Sequence, residues 1–274
     1  MRHRRLRPFF PFYGMKWQAA RHYPAPVGPL TEPFTGAAGY ATYHNPERVT
    51  LMDVDPIIVG VWSYLTRATP AELLALPDLD AGQSAADLPV PQEARWLIGF
   101  WLNRGSAQPK LTGTDYSTRT EAAQLTWGPK ARARLAAQVE AIRHWSVLER
   151  SYEYAPREHG TWFVDPPYID KGRYYRFSDV DFPHLARWSR ALPGRVIVCE
   201  QAGAAWLPFE PLADVRSTRG TSREVCFLRE NETDLGSPEH RMTMAEVAAR
   251  TDARQLPTLL PPTHRAQRGL PGLR

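Results

Sequence analysis

A chain of 274 residues with 43% hydrophobic content buries a real core, as one domain with an insertion or as two small ones, and is too apolar for a disordered chain. Its 34 lysines and arginines against 29 aspartates and glutamates leave +5 at pH 7 and a pI near 9.3, which permits a polyanionic partner without establishing one. No apolar run is long enough to span a bilayer. Two cysteines, Cys199 and Cys226, both in apolar strand-like runs, argue for buried thiols and against a disulfide framework, and no His/Cys group has metal-site spacing.

The first residues are basic, but they lead into Pro8-Phe9-Phe10-Pro11-Phe12 and not into a signal-peptide core, so a cytoplasmic protein without a membrane partner is expected. Residues 8–66 read as strand, turn, helix, strand, helix. An extended piece over 30–34 meets the small-residue turn Thr35-Gly36-Ala37-Ala38-Gly39; a second strand covers 49–53; Ile57, Ile58, Val61, Trp62 and Leu65 then recur with helical spacing. This is the start of a doubly wound α/β sheet. Residues 67–155 differ in character, with Pro, Asp, Gly and Ser frequent over 70–91, an apolar helix at 96–102 and a polar loop over 103–120. A further helix starts near Pro129, with Leu135, Val139 and Ile142 on its apolar stripe and Arg132 and Arg134 off it. The expectation is an inserted, mainly helical region.

Residues 156–230 return to strands and helices: a strand before Asp165, a helix over 182–192, a strand over 195–200 and a last strand over 224–228. Arg216, Arg219 and Arg223, among Ser and Thr, form a basic loop before that last strand and suit phosphate contacts. Residues 231–274 read as an extension with one short helix over 244–250 and a poorly ordered Pro/Arg tail.

The motif with the most chemistry is Asp165-Pro166-Pro167-Tyr168, directly after Trp162-Phe163-Val164. An exocyclic amino group on an aromatic base is a poor nucleophile, because its lone pair is delocalised into the ring. A carboxylate (Asp165) and a main-chain carbonyl (Pro166) can accept its two N–H bonds and draw the nitrogen toward tetrahedral geometry. Pro166 and Pro167 fix φ and remove competing donors, and Tyr168 supplies a ring for stacking. Asp-Pro-Pro is also an ordinary turn. The turn around Gly36 suits a close backbone approach to a ligand, although it is not a G-x-G-x-x-G fingerprint. Asp53 ends the second strand, where an acidic residue accepts from ribose hydroxyls; Asp55 before Pro56 already supplies a helix cap, which leaves Asp53 free for that role. Phe12-Tyr13-Gly14-Met15-Lys16 is an aromatic–Gly–Lys turn, able to cover a cofactor with a ring and to meet an anion with Lys16.

Taken in order, these pieces resemble the DNA adenine-N6 methyltransferase family of the DNA adenine methylase type, including its phage-borne members. Phe10-Pro11-Phe12-Tyr13-Gly14-Met15-Lys16 is similar to its N-terminal aromatic-Gly-Gly-Lys motif, with Met15 where a second Gly is usual. Glu32-Pro33-Phe34-Thr35-Gly36-Ala37-Ala38 is similar to its cofactor loop, Met52-Asp53-Val54-Asp55 to its acidic strand end, and Asp165-Pro166-Pro167-Tyr168 is identical to its catalytic motif. The resemblance covers about residues 8–230. It implies a Rossmann-like methyltransferase core over 8–66 and 156–230, with target recognition inserted at 67–155, and S-adenosyl-L-methionine as cofactor. Phe12, Tyr13 and Lys16 would line the cofactor pocket, Glu32, Phe34 and Gly36 its methionine end, and Asp53 the ribose. Asp165 would sit between cofactor and target amine, and Arg132, Arg134, Arg216, Arg219 and Arg223 would contact DNA. Double-stranded DNA is the implied partner, with no metal, for a monomer or weak dimer. The target sequence and a cognate restriction enzyme stay open at this stage. Cytosine-N4 or RNA amino-methyl transfer, and a non-catalytic DNA-binding protein on the same scaffold, remain the alternatives.

Overall fold

The apolar strand Gly160–Val164 lies in the middle of the sheet, and the charge-bearing strand Glu210–Ser217 lies at one edge. The structure, a computed structural model, describes residues 4–80, 82–102, 105–113, 126–217 and 220–230. Its seven-stranded sheet comprises β1 (Leu30–Glu32), β2 (Val49–Asp53), β3 (Ser146–Glu149), β4 (Gly160–Val164), β5 (Gly194–Gln201), β6 (Glu210–Ser217) and β7 (Gly220–Arg229), in the order β3-β2-β1-β4-β5-β7-β6. The first five in that order are parallel, while β7 runs antiparallel to both β5 and β6. The chain winds outward from β1 to β3, then returns to lay β4 against the other side of β1. That reversal defines a topological switch point and is compatible with a Rossmann-like fold.

Alternation along the central strands divides the core between two faces. Phe163, Ile197 and Cys199 join a cluster that holds Phe9, Phe10, Tyr40, Trp62 and Phe100. Trp162, Val164, Val196 and Val198 face a second cluster with Leu185 and Trp188. Helices cover both faces: α1 (Gly39–His44), α2 (Pro56–Arg67), α3 (Pro70–Ala75), α4 (Gln92–Leu102), α5 (Pro129–Ala136) and α6 (Phe182–Arg190). Local chemistry starts them. Asp55 accepts the Ile57 N–H and Pro56 occupies the first turn of α2. Thr69 and Glu72 close a capping box on α3, and Asp181 accepts from the His184 N–H at the start of α6.

The stretch between β2 and β3 departs from the expected insertion in two respects. It contains a core strand, since β3 lies within 67–155 and pairs with β2 from Thr50 to Asp53. Its helices also join the core: the rings of Phe100 and Phe10 stack at 4.9 Å, and the Trp101 indole donates to the Phe9 carbonyl at 3.1 Å. The expected helix after Pro129 is divided, with α5 ending at Ala136 and a separate 3₁₀ turn over Val139–Ile142; Leu135, Val139 and Ile142 are nonetheless buried as one stripe. The expected basic loop before the last strand is a β-hairpin. Arg216 lies on β6 and Arg223 on β7, and the last strand begins at Gly220. Arg219, the helix over 244–250 and the C-terminal tail lie outside the described residues.

Trp162 is fully buried, and its indole donates to the Pro193 carbonyl at 2.8 Å, joining β4 to the turn before β5. Trp162→Ala is expected to cost about 3–5 kcal/mol, as a large cavity next to an unpaired carbonyl. Urea unfolding followed by fluorescence measures it, and a cost below about 1 kcal/mol would contradict this packing.

Candidate functional site

At the switch point the C-terminal ends of β1 and β4 lie side by side, and the loops that leave them form one wall of a cleft. Its empty volume, open mouth included, is about 930 Å³, within the range of small-molecule sites. The turn after β1 is tightly tied. The Thr35 hydroxyl donates to the Glu32 carbonyl at 2.8 Å, and the Thr35 N–H donates to Met52 on the neighbouring strand at 3.0 Å. Gly36 has φ of 46°, and a β-carbon on it would stand 2.9 Å from the Phe12 ring. Glycine thus suits the position by backbone and by space. The Trp62 indole holds the Gly36 carbonyl from below at 2.8 Å.

Asp53 is not left free, as the sequence suggested. Its Oδ2 accepts the Gly36 N–H and its Oδ1 the Asp55 N–H, each at 3.0 Å. Asp53 thus links the loop after β1 to the start of α2, and it lines the cleft. Burial pushes its pKa up to about 6 against backbone donors at Asp55, Gly36 and Val54. Glu32 is almost wholly buried and accepts the Ala41 N–H in α1 at 2.5 Å; burial pushes it up to about 8.

The opposite wall comes from the N-terminal arm. Gly14 takes φ of 75°, and Met15 is not among the residues with positive φ, so the turn forms without a second glycine. Lys16 is carried inward. Its Nζ donates to the Gly14 carbonyl at 3.0 Å and stands 2.9 Å from Asp165 Oδ1, 4.0 Å from Glu224 Oε2 and 4.6 Å above the Tyr168 ring. Burial opposes the charge on Lys16, but the carboxylates of Asp165 and Glu224 outweigh it and raise its pKa, so it stays an ammonium. Lys16 meets Asp165 as a counter-charge, and Asp165 Oδ1 itself is out of solvent. Burial pushes Asp165 up to about 6, with Lys16 holding it down.

Phe12, Tyr13, Lys16, Glu32, Phe34, Gly36, Asp53, Asp165 and Pro167 therefore line one cleft, although they come from segments far apart in sequence. Pro166 is buried beside it. Tyr168 lies next to the cleft, half-buried, with its hydroxyl donating to Glu224 at 2.8 Å. Three features escaped the sequence. Tyr175, Arg176 and Phe177 form a strap over the mouth; the Tyr175 hydroxyl reaches the Tyr13 carbonyl at 3.4 Å, and Arg176 comes within 3.8 Å of Asp55. The run Tyr174-Tyr175-Arg176-Phe177, so soon after Asp165, was the available signal. Tyr152 supports Phe34, ring to ring at 5.3 Å. Glu224 was readable only as the one acid heading an apolar strand.

Of the arginines expected at DNA, Arg132, Arg134 and Arg223 do not line this cleft. Arg132 forms an ion pair with Asp78, and Arg134 lies over the Trp101 ring at 4.5 Å. Arg223 faces Asp214 across the hairpin at 3.3 Å. Among the described residues no group of three or more His, Cys, Asp or Glu could hold a metal ion, and no helix is long and apolar enough to cross a membrane. A scan against protein-family models finds no match, and a search of curated proteins finds none.

A glutamic acid raised to about 8 by burial binds a proton more tightly folded than unfolded. Its contribution to stability is greatest below the unfolded value and declines as pH rises toward 8. Glu32→Gln, which keeps an acceptor for Ala41, is expected to unfold at a higher temperature than the parent at pH 8 and to show a shallower decline from pH 5 to 8. Melting curves across that range test it; an equal or steeper decline would refute a buried, proton-binding Glu32.

Proposed function

We propose that this chain transfers a methyl group from S-adenosyl-L-methionine to the N6 amino group of adenine in DNA. One observation carries the reading: the Asp165 carboxylate, whose Oδ1 stands 2.9 Å from the Lys16 ammonium, borders a cleft lined by every cofactor residue that the family resemblance names. A carboxylate offers several lone pairs, so an amine N–H can join or replace the ammonium there.

The cleft also suits the cofactor's charge. The acids Asp53, Asp55, Asp165 and Asp179 outnumber the bases Lys16 and Arg176 along its lining, which suits a cationic ligand with an ammonium, a sulfonium and ribose hydroxyls. Asp53 would accept from the ribose, while Glu32, Phe34 and the Gly36 turn would surround the methionine end. Phe12 and Tyr13 would cover the flat base. The bound cofactor supplies an electrophilic methyl.

The chain's own residues do the rest by position. Asp165 and the Pro166 carbonyl hold the target amine, with the two prolines keeping the carbonyl direction rigid. Tyr168 offers a face to a base taken out of the duplex stack. Rate comes from orientation and preorganised acceptors, without a strong base. The methylated nitrogen is cationic and releases its proton readily to Asp165 or water. At the mouth, Arg173 lies 5.0 Å over the Tyr174 ring and Arg176 5.3 Å over Phe177, with both rings partly exposed. Such ring–guanidinium pairs suit a nucleic-acid strand, and with the helices between β2 and β3 they make up the target-recognition surface in this reading.

The test uses purified protein, unmethylated DNA and S-adenosyl-L-methionine with a heavy methyl, followed by nucleoside mass spectrometry. Labelled N6-methyladenine is expected, and Asp165→Ala is expected to lower kcat at least about 100-fold with the fold intact. Labelled N4-methylcytosine would change the substrate and keep the mechanism, methylated RNA alone would replace the partner, and an active Asp165→Ala would sink the assignment. Separately, Asp53→Ala is expected to weaken S-adenosyl-L-methionine binding about tenfold or more, the loss of a charged acceptor. Calorimetric titration reads this without turnover, and unchanged affinity would remove Asp53 from the cofactor site.

A further inference from the structure

Lys16 stands between two carboxylates, the buried Glu224 and the partly buried Asp165, and is nearer to Asp165. Its Nζ is 2.9 Å from Asp165 Oδ1 and 4.0 Å from Glu224 Oε2, and the Lys16 and Glu224 side chains are 8% and 9% exposed. The second distance is roughly 1 Å beyond hydrogen-bond reach, a gap that a lysine side chain closes by small torsional changes. The same Oε2 of Glu224 accepts the Tyr168 hydroxyl at 2.8 Å. Glu224 lies on β7, paired with Gln201 on β5 and Ala213 on β6, so its carboxylate is held by strands on both sides.

This arrangement creates a competition. In the structure Lys16 faces the Asp165 oxygen that an incoming amino group would need. A buried ammonium cannot be left without a counter-charge. Resting on the methyl-transfer reading above, we propose that Glu224 is a positioning residue of the same site: it receives the Lys16 ammonium when the target amine takes up Asp165, and it anchors the Tyr168 ring through its hydroxyl. The motif residue Asp165 then serves two donors in turn, and Glu224 makes the exchange possible without stranding a charge.

The exchange has a signature in pH. Lys16 from the N-terminal arm, Glu224 from β7 and Tyr168 from its own loop act directly on Asp165. Glu32 on β1, Tyr175 on the strap, and Cys199 and Glu200 on β5 also feel its charge. Of these, Lys16 is the cation that favours ionisation and Glu224 the acid that most opposes it. Removing the Glu224 charge therefore lowers the pH at which Asp165 ionises, directly and by leaving Lys16 to Asp165 alone.

Glu224→Gln keeps the volume and the acceptor for Tyr168 while removing the charge. With folding checked by circular dichroism, and S-adenosyl-L-methionine affinity expected to be unchanged by calorimetry, the KM for DNA is expected to rise about tenfold. Under the same conditions kcat should stay within about twofold, and the acid limb of kcat/KM should move down by about 0.5 pH or more. Glu224→Asp keeps the charge and should return the acid limb toward the parent's, with KM still raised by the shorter reach. It also carries the comparison if Glu224→Gln unfolds. A role confined to fold stability would lower the melting temperature and leave the acid limb where it was. Parent enzyme active on DNA with both KM and acid limb unchanged in Glu224→Gln overturns this inference alone. Parent enzyme that binds cofactor and methylates no DNA overturns the reaction and the inference together.

Discussion

The buried charge of Lys16 is the constraint around which the cleft is arranged. An ammonium taken out of water is tolerable only beside carboxylates, and Asp165 and Glu224 supply them from β4's loop and from β7. Meeting that requirement draws the N-terminal arm across the ends of the central strands. Once there, the arm presents Phe12 and Tyr13 to the cleft and buries Phe9 and Phe10 in the core beside Trp62. The arm therefore belongs to the core and to the site at once. A change that loosens its packing also withdraws the cation from Asp165.

The switch point explains why so few residues suffice. Where strand order reverses, the loops after β1 and β4 diverge to opposite faces and leave a crevice that no side chain from the sheet has to fill. The turn at Gly36 borders it on one side, Asp165-Pro166-Pro167 on the other, and Asp53 from the next strand ties the first to the start of α2. The acids that point into it lie at strand ends or in the loops that follow, where backbone N–H groups and helix starts are available to partner them.

The sequence was most readable where local chemistry decides structure. The strands at 49–53 and before Asp165, the Asp55-Pro56 helix start and the Gly36 turn were all legible, because each rests on periodicity, a cap or a backbone requirement. Features set by distant partners were not. β6 reads Glu-Pro-Leu-Ala-Asp-Val-Arg-Ser, with a proline near its start and charges along it, the mark of an edge strand that also passes for a loop. β3 has no fully buried residue, so its membership of the sheet is visible only in its pairing with β2. Arg132 and Arg134 fell off the apolar stripe, yet Asp78 and the Trp101 ring, remote in sequence, claim them. In the site, the motif residues announced themselves, whereas Glu224 and Tyr175 matter through what they touch.

The three charges that meet at Tyr168 belong to residues 16, 165 and 224, drawn from nearly the whole described length of the chain. Contacts so far apart in sequence carry a loop-closure cost that grows slowly with separation. Until β7 is laid between β5 and β6, Lys16 lacks one of its two counter-charges and Tyr168 its anchor. The cleft therefore has its full set of charges only when β7 is in place, so its completion coincides with that of the sheet.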